Sequence, residues 1–237
     1  MNEHTKAIIL KINDYREKDA LALVLTKEYD ILTMVLRGVN SVASKRKMAL
    51  FPFKEVEYII DYTSNKTMYQ PKSMSVINHR QMIVLNPVLM SVASIMTEMA
   101  YKTNVESNFY DILNEGLNLI NNENYLCVLA IYIKELLMNH GLLPEVRFCV
   151  NCQSSEVVNI SLHQGGFVCK ACNQEKCRYT IEQLKRFRAI ALANYQHINK
   201  FNGDYQIKID DVTILMNFYL YHFNIKINSW DVFKVIG

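Results

Sequence analysis

The chain has 237 residues, of which 50% are apolar, and a formal net charge of +3. This composition supports a sizeable core and excludes wholesale disorder. No apolar run reaches the roughly 18 residues of a membrane-spanning helix, and the polar N-terminal stretch lacks the pattern of a secretory signal. We therefore expect a soluble, intracellular protein.

Charge is unevenly distributed along the chain. Residues 1–78 carry a net charge of +3, residues 79–147 a net charge of −3, and residues 148–237 a net charge of +3. This division indicates that different parts of the chain meet different partners.

The glycines exclude two large classes of nucleotide-binding enzyme. The seven glycines form neither G-x-G-x-x-G nor G-x-x-x-x-G-K-[ST], the loops that hold dinucleotides and nucleotide phosphates. The H-E-x-x-H and G-x-S-x-G motifs of two hydrolase classes are also missing. An enzyme would need an open metal site or clustered carboxylates, and the sequence shows neither.

The first 78 residues predict a small β-barrel. Segments rich in β-branched and aromatic residues are separated by polar turns. Five short strands with one long connection fit the five-stranded oligonucleotide-binding (OB) barrel, although an SH3-like barrel would give similar signals. The predicted strands are Thr5–Ile12, Ala20–Thr26, Ile31–Arg37, Phe53–Asp61 and Lys66–Val76.

From residue 79 onward the pattern becomes helical. Asn86 followed by Pro87 is a typical helix start, and a second helix is predicted over Asn108–Ile120. A third, about Glu123–His140, should end at Gly141 because glycine readily adopts the left-handed conformation.

Helical signals resume after a cysteine-rich segment. Thr180 with Gln183 predicts a capping box before a helix that reaches about Tyr195. Asp210 or Asp211 should cap Val212–Phe223, and Ser229 should cap a short final helix. The predicted fold is α+β: an OB-fold domain (1–78), then a helical domain (79–147 and 179–237) with a four-cysteine module (148–178) inserted in it.

The cysteine spacing is the most specific motif in the chain. Two Cys-x2-Cys pairs with sixteen residues between them match a four-cysteine zinc site, and Gly165-Gly166 allows the chain to turn back before the second pair. Disulfides are the alternative, although nothing indicates an oxidising compartment. Four thiolates leave no open coordination position, so this Zn²⁺ would be structural. The predicted ligands are Cys149, Cys152, Cys169 and Cys172.

The remaining cysteines and histidines have weaker interpretations. Cys177 falls outside the paired spacing and is interpreted as a spare thiol, whereas Cys127 lies in an apolar helix and should be part of the core. His163 lies between the cysteine pairs and could replace a thiolate, but four cysteines already complete the ligand set.

A basic connection in the barrel is the first candidate for nucleic-acid binding. No acidic residue lies between Asp30 and Glu55, and several aromatic residues lie beside the cations. Cations that follow phosphates beside rings that stack on bases are typical of single-strand binders. A solvated loop next to core aromatic residues is the alternative. The candidate residues are Arg37, Lys45, Arg46, Lys47 and Lys54.

A second basic cluster follows the cysteine segment and is a secondary candidate for DNA binding. Lys185, Arg186 and Arg188 cannot all share one helical face, so part of the cluster should be ordinary surface. The candidate residues are Arg178, Lys185, Arg186 and Arg188.

With these features in order, the chain resembles the bacterial RecO family over essentially its whole length. The barrel part rests on Lys6–Leu10, Asp19–Thr26 and Val35–Val39. The most specific part is Leu136-Leu137-x3-Gly141-Leu142-x-Pro144-x4-Cys149-x2-Cys152, continuing into Ser161-x3-Gly165-Gly166-Phe167-x-Cys169-x2-Cys172. The ending, Tyr219–Phe223 with Ser229, is similar to the closing helix of the family. Residues 13–18 depart from the family pattern, since they lack the glycine that often precedes the acidic residue.

The resemblance implies a protein that is not an enzyme and acts in DNA repair and RecF-pathway recombination. RecO-like proteins bind single- and double-stranded DNA, anneal complementary strands without ATP, and with RecR help load RecA onto strands coated by single-stranded-DNA-binding protein (SSB). They also bind the acidic, hydrophobic C-terminal tail of SSB, for which Lys102, Lys134, Arg147 or the C-terminal helices are candidates. The resemblance also implies a functional link to RecF and a cytoplasmic, nucleoid-associated location. The alternative function is a zinc-stabilised OB-fold protein that binds RNA.

Overall fold

The computed structural model describes residues 2–41, 44, 51–176 and 178–236, with the backbone alone for residues 202–204. The chain divides into two compact units. Unit 1 comprises Met1–Asn121 and Ile227–Gly237, and unit 2 comprises Asn122–Lys226. The chain therefore leaves unit 1, completes unit 2 and then returns to unit 1.

A six-stranded sheet dominates unit 1. Its strands are β1 (Asn2–Tyr15), β2 (Asp19–Thr26), β3 (Ile31–Leu36), β4 (Glu55–Asp61), β5 (Met68–Tyr69) and β6 (Ser73–Asn78). They pair in the order β5-β3-β2-β1-β4-β6. Neighbouring strands are antiparallel except for β3 and β5, which are parallel. Because β5 and β6 are consecutive in the chain yet pair with opposite edges of the sheet, residues 68–78 close it into an OB-like barrel.

The predicted strand Lys66–Val76 is wrong in one respect, since it forms two strands separated by Gln70–Lys72. Pro71 lies between them and has no N–H to donate to a ladder. The break occurs where the chain changes partner from β3 to β4. The barrel interior contains mostly small and branched residues, with Tyr58 and Tyr69 as its large members.

Helices complete unit 1, and the predicted start at Asn86 is confirmed. The Asn86 side chain accepts the amides of Val88 and Leu89 at 2.9 and 3.2 Å. Helix α2 packs against α8. The helices of unit 1 are α1 (Gln81–Leu85), α2 (Pro87–Lys102), a short 3-10 turn (Ser107–Phe109), α3 (Tyr110–Leu119) and α8 (Asn228–Ile236).

Unit 2 is a helical unit with a two-stranded hairpin inserted in it, so the α+β fold class is confirmed. Gly141 has a φ of +69° directly after His140, the C-cap of α4, as predicted, and Thr180 with Gln183 forms a capping box. The central helix α4 packs against α7. The elements are α4 (Tyr125–Asn139), β7 (Val157–Ser161), β8 (Gly166–Cys169), α5 (Ile181–Leu192), a 3-10 turn (Tyr195–His197), α6 (Ile198–Asp204) and α7 (Ile209–Phe223).

Two predicted helix caps are wrong. Helix α7 begins at Ile209, so Asp210 and Asp211 lie in its first turn, and Asp211 accepts the Lys208 amide at 2.9 Å. Ser229 lies inside α8, and the cap of that helix comes from Glu98 of α2. Among the described residues, none of the helices is both long and apolar enough to span a membrane.

Candidate metal centre and nucleic-acid interface

Two similar turns bring four cysteine sulfurs of unit 2 together. In the first turn the Gln153 amide donates to the Cys149 carbonyl at 3.0 Å, and in the second the Asn173 amide donates to the Cys169 carbonyl at 2.9 Å. Each Cys-x2-Cys pair is thereby folded so that its two side chains point the same way. The resulting cluster, in which all Sγ atoms lie within 4.8 Å of one another, consists of Cys149, Cys152, Cys169 and Cys172.

A close backbone approach at Gly166 holds the second pair in place. The Glu145 amide donates to the Gly165 carbonyl at 3.0 Å, and the Phe167 amide donates to the Glu145 carbonyl at 2.8 Å. A Cβ atom at Gly166 would overlap the Glu145 backbone, with the amide nitrogen only 2.7 Å away. Glycine at 166 is therefore needed for this contact, beyond the flexibility that the sequence suggested.

The sulfur cluster fits a zinc ion. Tetrahedral Zn–S bonds of about 2.3 Å place neighbouring sulfurs about 3.8 Å apart, and the Sγ atoms of Cys152 and Cys169 are 3.5 Å apart. A disulfide would require about 2.05 Å, and the four residues are free thiols. The donor chemistry and the spacing both suit a closed, structural metal site.

The electrostatics of the cluster also favour a cation. Burial raises the pKa of the Cys149 thiol, but backbone N–H groups, with Cys169 and Asn151 first among them, outweigh burial and bring the pKa to about 6. The neighbouring sulfurs of Cys152 and Cys169, followed by burial, raise the pKa of Cys172 to about 12. Four thiolates therefore need a cation among them before all can be ionised together.

His163 and Cys127 are not part of the cysteine cluster. His163 is exposed, and its Nδ1 is 2.7 Å from the Tyr221 hydroxyl. Cys127 is buried in α4, as predicted, and burial raises its thiol pKa to about 12. Cys177 lies outside the described residues.

The predicted basic connection of the barrel is only partly described. Arg37 is exposed directly after β3, whereas Lys45, Arg46 and Lys47 lie outside the described residues. Lys54 is only 6% exposed, and burial lowers the pKa of its ammonium group. That ammonium lies 5.2 Å from the centre of the Phe51 ring.

Most aromatic residues beside this connection belong to the barrel core. Phe53, Tyr58 and Tyr69 are each at most 2% exposed. Tyr62 is half-buried and stacks on Tyr29, with ring centres 3.9 Å apart. Phe51, at 44% exposure, is the most accessible of these rings.

The secondary basic cluster contains two kinds of side chain. Arg178 and Lys185 are exposed. Arg186 Nε donates to Asp211 at 2.8 Å, and Arg188 Nε donates to the Val146 carbonyl at 2.7 Å. Arg186 and Arg188 therefore stabilise unit 2, whereas Arg178 and Lys185 do not make these bonds. The sequence indicated this difference only through helical periodicity.

The β1–β2 turn contributes two cations that the sequence interpretation did not include. Arg16 and Lys18 are both exposed, and the Asn40 amide donates to the Lys18 carbonyl at 3.0 Å. This bond places the turn beside the start of the basic connection. In the sequence, Arg16 and Lys18 are easily overlooked because Asp14, Glu17 and Asp19 lie within a few positions of them.

Two family models match the chain. Residues 1–80 match the model described as Recombination protein O N terminal, and residues 85–231 match the model described as Recombination protein O C terminal.

Curated relatives from several bacteria carry the name DNA repair protein RecO. The protein of Lactiplantibacillus plantarum is 31% identical over 169 residues, which cover 69% of this chain but only 65% of that protein. The protein of Exiguobacterium sibiricum is 28% identical, with 74% and 72% covered. The protein of Caldanaerobacter subterraneus is 24% identical, with 96% and 95% covered. Since the C-terminal model alone matches more than half of the residues, the chain belongs to the RecO family of recombination proteins.

Proposed function

We propose that this protein is a mediator of DNA repair and RecF-pathway recombination that is not an enzyme. It binds single- and double-stranded DNA, anneals complementary strands without ATP and helps load RecA onto SSB-coated strands. The match to both RecO models carries this proposal. The OB-like barrel, with an exposed arginine where its basic connection begins, supports it.

Annealing without ATP can follow from electrostatics alone. Two DNA strands repel each other through their phosphates, and cations of a protein replace the condensed counterions on both. We propose that Arg37, Lys45, Arg46 and Lys47 contact phosphates directly. Lys54 is nearly buried, so it would act through its charge and its contact with Phe51.

The proposed secondary DNA contact lies on unit 2. Arg178 and Lys185 would supply it, because their side chains are exposed. Arg186 and Arg188 would support the fold beneath this contact through their bonds to Asp211 and Val146.

We propose that the four-cysteine cluster holds one structural Zn²⁺. Four thiolates complete the tetrahedral shell and leave no position for a substrate or an activated water. The backbone bonds of the two turns and the close contact of Gly166 with Glu145 would place the four sulfurs for the ion. Zinc would thus maintain the shape of unit 2.

The acidic, apolar tail of SSB is a proposed partner of unit 2. A groove of about 270 Å³ has Leu192, Phe201 and Tyr205 among its lining residues, and His197 and Lys200 also line it. Apolar side chains beside a cation suit a peptide that ends in a carboxylate.

The cations first considered for this tail are engaged elsewhere. Lys134 is 4% exposed and pairs with Glu135, Arg147 pairs with Glu145, and Lys102 pairs with Glu98. RecR is a further proposed partner, and functional links to RecF and RecA are proposed from family membership.

The annealing proposal can be tested with complementary fluorescent oligonucleotides in the absence of ATP. Wild type should anneal them quickly, and Lys45→Glu/Arg46→Glu/Lys47→Glu should be slow. A control variant, Lys6→Glu/Lys66→Glu/Lys200→Glu, has the same change in net charge at exposed lysines elsewhere and should anneal like wild type. Absence of annealing by folded, zinc-loaded wild type would contradict an intrinsic annealing activity.

Two binding measurements complete the test. DNA affinity should fall by orders of magnitude between about 50 and 200 mM salt if several phosphates are contacted, and an affinity that stays flat would contradict phosphate binding. RNA oligonucleotides that compete as well as DNA would favour the RNA-binding alternative. For the tail, Lys200→Glu should weaken binding of a labelled SSB tail peptide, while Lys185→Glu should not.

A further inference from the structure

Side chains connect the β1–β2 turn to the residues that follow β3. Asp19 Oδ1 accepts the Gly38 amide at 2.9 Å. Asn40 Nδ2 donates to Asp14 Oδ1 at 3.0 Å and to the Asp19 carbonyl at 3.1 Å. Together with the bond from the Asn40 amide to the Lys18 carbonyl, these contacts form what we call the loop latch, whose side chains are Asp14, Asp19 and Asn40.

The residues held by the latch form a closed turn of their own. Gly38 has a φ of +66°, in the left-handed region. Its carbonyl accepts the Ser41 hydroxyl at 2.7 Å and the Ser41 amide at 3.3 Å. Arg37 immediately precedes this turn and is exposed. The latch therefore fixes where the chain leaves the barrel, and with it the direction in which Arg37 extends.

Because the β1–β2 turn carries both cations and carboxylates, the placement of its cations matters more for DNA binding than its net charge. The exposed cations are Arg16, which lies 5.0 Å from the centre of the Tyr15 ring, and Lys18. Three acidic residues lie in or beside this turn: Glu17 within it, Asp14 near the end of β1 and Asp19 at the start of β2. Two of the three carboxylates accept hydrogen bonds from the latched segment. A turn with this balance can attract DNA only if its cations are held toward the phosphates.

We propose that Asp19 and Asn40 are positioning residues for DNA binding. They hold the start of the basic connection against the β1–β2 turn, so that Arg37, Arg16 and Lys18 form one cationic surface. This inference rests on the proposed DNA-binding function and adds two contacts, Arg16 and Lys18, to it. The latch orients those cations and does not itself touch DNA.

Two substitutions at position 19 separate the hydrogen bond from the charge. Asp19→Ala and Asp19→Asn both remove the negative charge, but only asparagine keeps an oxygen that can accept the Gly38 amide. Asn40→Ala breaks the latch from its other side without changing the charge. Thr26→Val is a matched control, because Thr26 accepts the Tyr29 amide at 2.8 Å and donates to the Asp30 carbonyl at 2.9 Å in the β2–β3 turn at the other end of β2.

Affinity for a labelled single-stranded oligonucleotide would be measured by fluorescence anisotropy at several salt concentrations, with the free energy of unfolding alongside. Asp19→Ala should bind about three- to tenfold more weakly than Asp19→Asn, the range expected from one or two lost hydrogen bonds. Asn40→Ala should weaken binding similarly relative to wild type. A plot of log affinity against log salt concentration should become less steep, its slope decreasing in magnitude by about one for each lost phosphate contact.

Other outcomes would overturn the inference in distinguishable ways. Equal affinities and salt slopes for Asp19→Ala and Asp19→Asn, beside a wild type that binds DNA, would remove the latch and leave the proposed function intact. A loss of affinity in Thr26→Val as large as that in Asn40→Ala would show that only stability matters. A folded wild type that binds no DNA would overturn the proposed function and this inference with it.

Discussion

The carboxylate of Glu98 in α2 accepts both the amide and the hydroxyl of Ser229 in α8, at 2.8 and 2.6 Å. It also accepts the Asn228 amide at 2.9 Å and pairs with Lys102 at 2.9 Å. The first amides of a helix have no partner within the helix. A residue about 130 positions earlier in the chain therefore caps the last helix of unit 1 and anchors it to α2.

This cap should make unit 1 sensitive to acid. Burial raises the pKa of Glu98, but bonds from Lys102, Ser229 and Asn228 outweigh it and hold the pKa below its ordinary value of 4.5. A carboxylate with a lowered pKa in the folded state contributes its stabilisation above pH 4.5 and loses it as pH falls through the folded pKa. The stability of wild type should therefore fall below about pH 4.5, as measured by denaturant unfolding at several pH values.

The pH effect can be assigned with two variants. Glu98→Gln should be less stable than wild type at pH 7 and show a smaller loss of stability in acid. Asp231→Asn removes an exposed carboxylate that pairs with Lys234 and should keep the wild-type pH dependence. An unchanged acid response in Glu98→Gln would show that another group controls it.

Gly166→Ala should severely destabilise unit 2. The new methyl group would overlap the Glu145 backbone, and the combined overpacking and backbone strain should cost about 2–5 kcal/mol. Gly165→Ala is the matched control, since among the described residues no atom beyond its chain neighbours lies within 4 Å of a Cβ there, and only the φ of +82° is unfavourable. The midpoint temperature of thermal unfolding and the zinc content should both fall further in Gly166→Ala than in Gly165→Ala. Equal losses in the two variants would refute the role of the close contact between Gly166 and the Glu145 backbone.

Cys149→Ser should abolish metal binding and destabilise unit 2 without altering any chemical step. Elemental analysis should find about one zinc per wild-type chain and almost none in the variant, because a closed site needs all four thiolates. Cys177→Ser should retain the metal, since Cys177 lies outside the paired spacing. Zinc-free wild type that is as stable as the purified protein would contradict a structural role.

Substitutions at Arg188 and Lys185 should separate a structural arginine from a proposed DNA contact. Arg188→Lys loses the Nε–H bond to the Val146 carbonyl and the guanidinium stacked 5.2 Å from the Phe167 ring centre, so it should lower stability by about 1–2 kcal/mol. Its DNA affinity should stay close to that of wild type. Lys185→Ala should leave the free energy of unfolding unchanged and weaken DNA binding, as measured by fluorescence anisotropy. Weaker DNA binding in Arg188→Lys would contradict this division of roles.

Local signals in the sequence predicted much of the fold. The Asn86 cap, the Thr180 capping box and the turn at Gly141 depend on residues within about four positions, so the sequence shows them directly. The cysteine spacing likewise predicted a cluster whose sulfurs do come together.

Contacts between distant segments could not be predicted in the same way. Ser229 had the composition of a cap, but a carboxylate from α2 takes that role. Asp211 looked like a cap and instead lies in the first turn of α7, paired with Arg186. Nothing in the sequence around Lys54 indicates that its side chain is only 6% exposed in the folded barrel.

The return of the chain to unit 1 through α8 has a consequence for the order of folding during synthesis. The ribosome releases residues 122–226, which form a continuous unit, before it releases Asn228 and Ser229, so unit 2 can fold while unit 1 still lacks its last helix. Domains usually fold from the N-terminus as they emerge. Here Glu98 is made early, and the helix amides that it caps are made more than a hundred residues later. Synthesis of Asn228 and Ser229 is therefore the step that allows the first unit to be completed.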